Sequence, residues 1–135
     1  MKRSLFLSLA FMSIFAFFCN AQDGKMKSST VSSPEKVEAY YFHFTSRCAT
    51  CLAVENEARE NIKFLYGSNI SFKSINLDDA SSKEIAKKLK VSGQSLVIVK
   101  EGKQINLTND AFLYAKNNPE KFKSILKEKI DKFLL

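Results

Sequence analysis

Residues 40–58 read YYFHFTSRCATCLAVENEA, and the rest of the chain is organised around this segment. Its apolar, aromatic start continues a run that begins at Val37, as is typical of a buried strand. Three polar residues follow, then the pair Cys48 and Cys51, then good helix formers. This order predicts a strand, a short turn and a helix with Cys48 at its N-terminus. There the unpaired backbone N–H groups and the helix dipole favour a thiolate.

The C-x-x-C spacing is a weak signal when it stands alone, because zinc sites, haem attachment sites and chance also produce it. Its position between a strand and a helix favours a redox dithiol. A structural disulfide is a poor interpretation, because a loop this small removes little entropy from the unfolded chain. The cysteine pair therefore indicates chemistry at Cys48 and Cys51.

The first 21 residues are predicted to be a secretory signal peptide, cleaved before Gln22. A short positive region precedes an apolar run over residues 5–18, and small residues occupy the cleavage positions. The run is short for a membrane span, and nothing after it resembles a stop-transfer flank. Lipidation of Cys19 is the other alternative, which Phe18 disfavours because a lipobox has a small residue there.

Export divides the chain into three parts. Residues 1–21 are the signal peptide, residues 22–35 are a polar, Ser-rich segment expected to be a disordered linker, and residues 36–135 form one domain. The expected location is the periplasm or the exterior of a bacterial cell. Contact with a membrane is expected only if Cys19 is lipidated.

The composition excludes several classes of partner. The formal charge of +7 falls to +5 without the signal peptide, and the surplus lysines are scattered and not clustered with arginine or aromatic residues. This distribution indicates a solvated surface and argues against nucleic-acid binding. No pattern suggests a nucleotide, haem or flavin, so no cofactor is expected, and we expect a monomer.

Hydrophobic periodicity and turn residues predict an α/β fold, with a small mixed four-stranded sheet and helices on both faces. The predicted elements are a strand at 37–44, a helix at 48–66, a strand at 70–77, a short helix ending near 89, a hairpin of 95–99 with 104–107, a short helix at 109–116 and a final helix from Pro119.

Two of these helices carry further predictions. Thr45 or Ser46 is expected to cap the first helix, whose inner face is predicted to hold Cys51, Leu52, Ala58, Ile62 and Leu65, with Glu55 outside. The final helix is basic and amphipathic. Such a helix can lie on a membrane, but packing against the sheet is the favoured interpretation.

The order of elements, with the C-x-x-C pair at the first strand-to-helix junction, resembles the thioredoxin superfamily over residues 36–135. Residues 91–103, with a valine, a glycine, an apolar strand and a Gly turn, are similar to the corresponding thioredoxin run. More narrowly, FHFTSRCATC resembles a small exported bacterial thioredoxin-like family, whose names link it to reduction of nitrophenyl compounds or organoarsenicals.

Three departures from the superfamily pattern affect the expected site. Gln94 or Ser95 stands where the superfamily has a cis-proline, so a trans peptide is expected there because a cis bond without proline costs about 2.5–4 kcal/mol. Phe42 stands where thioredoxins keep a buried acid. Arg47 replaces a tryptophan, and its charge is expected to lower the pKa of Cys48.

The resemblance implies thiol–disulfide exchange with thiols and disulfides of proteins or small molecules. Cys48 is the expected attacking sulfur and Cys51 the resolving one, and Thr50 could donate a hydrogen bond to the thiolate. The first alternative is a module that binds Cu(I) or an arsenical through both cysteines, with or without His43 as a third ligand. The second is an interaction domain without redox activity. For His43 itself, packing at the rim of the core is the favoured interpretation, and no bound metal is expected.

Overall fold

A computed structural model describes residues 36–135 of the 135-residue chain. The predicted signal peptide (1–21) and linker (22–35) lie outside the described residues, so both stay predictions. Within residues 36–135, none of the helices combines the length and the apolar character that crossing a bilayer requires.

The described part of the chain contains four strands, four helices and two short 3₁₀ turns, at Gly67–Asn69 and Ala80–Ser82. The predicted elements and their order are confirmed, with boundaries that differ by at most two residues. The elements are β1 (Val37–His43), α1 (Ala49–Tyr66), β2 (Ile70–Asn76), α2 (Lys83–Lys88), β3 (Ser95–Lys100), β4 (Lys103–Asn106), α3 (Thr108–Tyr114) and α4 (Pro119–Leu134).

The strands form one mixed sheet in the order β2-β1-β3-β4. β1 is parallel to β2 and antiparallel to β3, and β4 is antiparallel to β3. The parallel pair is joined by α1, because parallel neighbours need a crossover connection and cannot be joined by a tight turn. The predicted α/β architecture with a four-stranded mixed sheet is therefore confirmed.

The β3–β4 turn is tighter than predicted. Lys100 pairs with Lys103, which leaves only Glu101 and Gly102 in the turn. Both have positive φ, 49° and 80°, as a type I′ turn requires. This turn type fits the right-handed twist of the strands it joins, so each strand reaches one residue further into the turn than the sequence pattern indicated.

β1 is covered on both faces, as its apolar sequence predicted. Tyr41 and its neighbours on one face pack in the main core with residues of α1, α3 and α4. On the other face, Tyr40 and Phe42 pack against Ala86 and Leu89 at α2. The strand that leads to the cysteines is therefore fixed from both sides.

The inner face of α1 differs from the prediction at two positions. Leu52 is 44% exposed, whereas Glu55 is only 6% exposed. The reason is helix phase: residues spaced three or four apart share a face, and Glu55 lies four residues after Cys51, whereas Leu52 is rotated out of that line. The buried residues of α1 are Cys51, Val54, Glu55, Ala58, Asn61 and Ile62.

The apolar face of α4 is buried inside the domain. Phe122, Leu126 and Ile130 are completely inaccessible and belong to the same core as β1 and α1. The side chain of Asn118 caps the helix by accepting a hydrogen bond from the N–H of Lys121 at 3.1 Å. The interpretation that this amphipathic helix packs against the sheet is therefore confirmed.

Candidate functional site

The two cysteines lie at the start of α1 and are joined by a disulfide, with Cα atoms 5.1 Å apart. Cys48 is the N-cap residue, and its Sγ accepts a hydrogen bond from the backbone N–H of Cys51 at 3.2 Å. That N–H is one of the donors that a helix start leaves free. Cys48 itself therefore caps the helix, and the predicted cap from Thr45 or Ser46 is wrong.

The two cysteine residues differ in exposure to solvent. Cys48 is an exposed residue, whereas Cys51 is 2% exposed. A sulfur atom of a substrate can approach Cys48 from outside, and the surrounding core screens Cys51. The arrangement thus presents one reactive atom and keeps the second within bonding distance behind it.

The loop before Cys48 is tied to the end of β2. The backbone N–H of Thr45 donates to Oδ2 of Asp78 at 2.7 Å, and the side chain of Asn76 donates to the hydroxyl of Thr45 at 3.0 Å. The bond from the Thr45 backbone holds the pKa of the Asp78 carboxyl below its ordinary value. Thr45 therefore fixes the approach to the dithiol instead of capping α1.

Arg47 is not a free charge beside Cys48. Its Nη2 forms an ion pair with Oε2 of Glu55, although the contact lies off the ideal hydrogen-bond direction. The other carboxylate oxygen of Glu55 accepts a hydrogen bond from Arg59. Only 20% of the Arg47 side chain is exposed, against 8% for Glu55. Sequence analysis missed Glu55, although its spacing of four residues from the buried Cys51 is a usable signal.

The ionisation of Glu55 follows from its neighbours. Burial raises the pKa of this carboxyl, but the contacts from Ser74 and Arg47, with the charges of both arginines, outweigh burial. The pKa of Glu55 is therefore lowered from its ordinary value, and the group is an anion at neutral pH. Glu55 is thus an anion held between two cations, Arg47 and Arg59.

Tyr41 connects the charged pair of Arg47 and Glu55 to the cysteines. Its hydroxyl donates a buried hydrogen bond to the carbonyl oxygen of Cys51 at 3.0 Å. Burial raises the pKa of Tyr41 to about 12, with the charge of Arg47 lowering it and that of Glu55 raising it. The hydroxyl therefore keeps its proton and anchors the first turn of α1 to β1.

In the described part of the chain, no hydrogen bond joins His43 or Thr50 to a cysteine sulfur. Nδ1 of His43 lies 2.9 Å from the carbonyl oxygen of Phe44, and its ring centroid lies 6.0 Å from that of Tyr41. This half-buried position supports packing at the core rim. Among residues 36–135 no group of three or more His, Cys, Asp or Glu is placed to hold a metal ion, so His43 does not complete a three-ligand set with Cys48 and Cys51 in this structure. Thr50 is half-buried, and its hydrogen bond to a thiolate stays a prediction for the reduced form.

Gln94 and Ser95 lie at the same end of the sheet as the dithiol. Ser95 pairs with Phe42, next to the end of β1, and its hydroxyl donates to the carbonyl of Gly93 at 3.0 Å. The peptide bonds of the described residues are all trans, which confirms the expectation for this segment. Both side chains are half-buried.

The surface beside Cys48 is partly apolar. Phe44, at the end of β1, is 38% exposed, and Leu52, one turn after Cys48, is 44% exposed. Two cavities, of about 450 and 470 Å³, are elsewhere: one is lined by residues including Val37 and Ile70, the other by residues including Ile105 and Phe133. Neither of these two cavities is lined by Cys48 or Cys51.

Comparison with solved structures gives alignments at low sequence identity. The crystal structure of Trxlp from Edwardsiella tarda EIB202 aligns with a TM-score of 0.50 and 16% identity, over 70% of this chain and 84% of that chain. A malarial protein aligns with a TM-score of 0.46 and 20% identity, over 67% of this chain and 97% of that one. Thioredoxin-2 of the malaria parasite aligns with a TM-score of 0.42 and 24% identity, over 53% and 66% respectively.

No protein-family model matches the sequence, and no curated protein does. The sheet order and the alignment with Trxlp together show an α/β, thioredoxin-like fold. At this level of identity the likeness shows the fold alone, so the activity has to be argued from the site.

Proposed function

We propose that this thioredoxin-like domain is a thiol–disulfide oxidoreductase that acts through Cys48 and Cys51. The observation that carries the proposal is the unequal exposure of the two bonded cysteine residues. One is exposed at the N-terminus of α1, and the other is 2% exposed one turn further along. An inert interaction domain would have no need to present a sulfur in this way, and the exposed Cys48 weighs against that alternative.

The reaction proceeds through a mixed disulfide. In the reductive direction the Cys48 thiolate attacks one sulfur of a substrate disulfide, and the other substrate sulfur leaves as a thiolate that takes up a proton. Cys51 then loses its proton to solvent and attacks Sγ of Cys48. The Cys48–Cys51 disulfide forms, the second substrate thiolate leaves, and two electrons have passed from the domain to the substrate.

In the oxidative direction the same steps run backwards, and a substrate dithiol passes two electrons to the Cys48–Cys51 disulfide. Continued turnover then needs a partner of the same chemical class, a dithiol donor for reduction or a disulfide acceptor for oxidation. Proteins and small molecules with thiols or disulfides are the proposed substrates, because the exposed Cys48 is accessible to both.

An assay in both directions tests the proposal. We expect the purified full chain to accelerate reduction of insulin disulfides by dithiothreitol, oxidation of a model dithiol peptide by oxidised glutathione, or both. Bovine serum albumin reduced in parallel, with its thiols alkylated, serves as the control for non-specific effects. Rates equal to the uncatalysed rates in both assays would contradict the proposed function.

The compartment is a separate part of the proposal, supported by the sequence of residues 1–21. Expression of the full chain in a Gram-negative host should give a periplasmic protein whose N-terminus is Gln22, as read by mass spectrometry. Retention in the cytoplasm with Met1 intact would contradict export. A diacylglycerol on an N-terminal Cys19 would instead establish a membrane anchor. The narrower resemblance to a nitrophenyl-reductase family stays a prediction.

A further inference from the structure

A polar layer of three charged side chains lies between α1 and the sheet, below the dithiol. Glu55 is at its centre: one carboxylate oxygen faces Arg47, and the other faces Arg59. The guanidinium of Arg59 also lies over the ring of Phe72 on β2, 5.4 Å from its centroid. The layer is therefore held by α1 and β2 together, and we call these three residues the Arg47–Glu55–Arg59 cluster.

The position of Arg47 within this cluster is unexpected for the residue next to Cys48. Its guanidinium contacts Glu55, which lies seven residues after Cys48 in sequence. Seven residues of helix span about 10 Å along the axis. The side chain of Arg47 is therefore drawn under the helix towards Glu55, instead of projecting into solvent with the sulfur.

The cluster is electrically coupled to the first turn of α1. The Tyr41 hydroxyl, which bonds the carbonyl of Cys51, experiences the charges of both Arg47 and Glu55. With Glu55 ionised, the cluster carries one net positive charge. Without the carboxylate it would carry two, below a helix N-terminus that already favours an anionic sulfur.

Glu55 is unsuited to accept the proton of Cys51. Both of its oxygens are occupied by cations, and its pKa is lowered. A carboxylate held in this way stays ionised through the reaction. Its effect on the sulfurs is therefore a constant electrostatic one, exerted through Arg47.

We propose that Glu55 is a positioning residue of the dithiol, an inference that rests on the proposed thiol–disulfide function and deepens it. Its carboxylate holds Arg47 against α1 and offsets the positive charge that Arg47 would otherwise present to the sulfur of Cys48. Glu55 thereby keeps Cys48 less acidic, and the dithiol more reducing, than the helix terminus and the arginine together would make it.

The pH dependence of alkylation at Cys48 tests the proposal in the reduced full chain, with peptide mapping to assign the modified thiol. In Glu55→Gln the midpoint should fall by about half a unit, equivalent to roughly threefold more thiolate below the midpoint. The reduction potential should become more oxidising. Glu60→Gln removes an exposed charge from the same helix and should leave the midpoint unchanged. The double variant Arg47→Gln/Glu55→Gln should return the midpoint towards that of the wild type.

The single variant Arg47→Gln is an independent test, and it remains usable if Glu55→Gln folds poorly. By the same charge count this variant leaves the cluster with no net charge, so the midpoint should rise by about half a unit, opposite to Glu55→Gln. An unchanged midpoint in folded Glu55→Gln, or a midpoint that falls in Arg47→Gln, would overturn the proposal. Alkylation needs no substrate disulfide, so these outcomes stay distinct from a failure of catalysis.

Discussion

Replacing Cys48 with serine should lower disulfide exchange at least about 100-fold, because a serine hydroxyl is neither ionised at neutral pH nor able to form a disulfide. Cys51 cannot take over the reaction, since it is 2% exposed and a substrate sulfur does not reach it. The loss should appear in insulin reduction and in dithiol oxidation alike. The Cys48→Ser variant should keep its fold, as measured by circular dichroism, because Ser is also a good N-cap.

Replacing Cys51 with serine should have a different result. Cys48 remains exposed and still attacks a substrate disulfide, but no second sulfur is available to release the product. A covalent complex through Cys48 should therefore accumulate when the reduced variant meets a disulfide substrate. Non-reducing electrophoresis and mass spectrometry detect this complex, and dithiothreitol should reduce its disulfide and release the substrate.

The pair of variants separates the roles of the two sulfurs. The double variant Cys48→Ser/Cys51→Ser is the matched control and should form no complex. If Cys48→Ser retains substantial activity, or if Cys51→Ser traps its substrate no better than the double variant does, the assignment of Cys48 as the attacking sulfur is wrong. A covalent complex formed through Cys51 in Cys48→Ser would show that burial does not keep substrates from Cys51.

The parts of this site that could be predicted are those encoded locally. An apolar run, three polar residues and a helical pattern place Cys48 at the start of α1 because each signal spans only a few residues. The burial of β1 on both faces was likewise readable from its continuous apolar sequence. These local signals were sufficient for the fold, and the structure agrees with them.

The parts that could not be predicted depend on helix phase or on distant residues. The inner face of α1 includes Glu55 and excludes Leu52, the reverse of the prediction, because charged residues are ordinarily assigned to the solvent side. The bond from Thr45 to Asp78 joins residues 33 positions apart, and only the pairing of β1 with β2 brings them together. The ion pair of Arg47 with Glu55 depends on the phase of α1, which places Glu55 on the buried face of the helix. Because the sequence pattern placed Glu55 outside, Arg47 was expected to act on Cys48 as an unpaired charge.

Replacing Phe122 with alanine should lower the free energy of unfolding by about 3–5 kcal/mol, through lost burial and the cavity left behind. Phe122 is completely inaccessible and lies in the core that α4 shares with α1. Such a loss is a large part of the roughly 5–15 kcal/mol that stabilises a domain. Urea unfolding followed by far-UV circular dichroism measures it, and exchange activity should fall only as the folded fraction falls.

Phe64→Ala is the matched control, because Phe64 is 75% exposed on α1 and its ring contacts the ammonium of Lys123, 4.2 Å from the centroid. Its loss should cost at most about 1 kcal/mol. The comparison distinguishes packing of α4 within the domain from docking of its apolar face on a membrane. If Phe122→Ala unfolded like Phe64→Ala but bound anionic vesicles more weakly than wild type, the apolar face of α4 would have its role at a lipid surface. The core next to the dithiol would then be formed by α1 and the sheet, without α4.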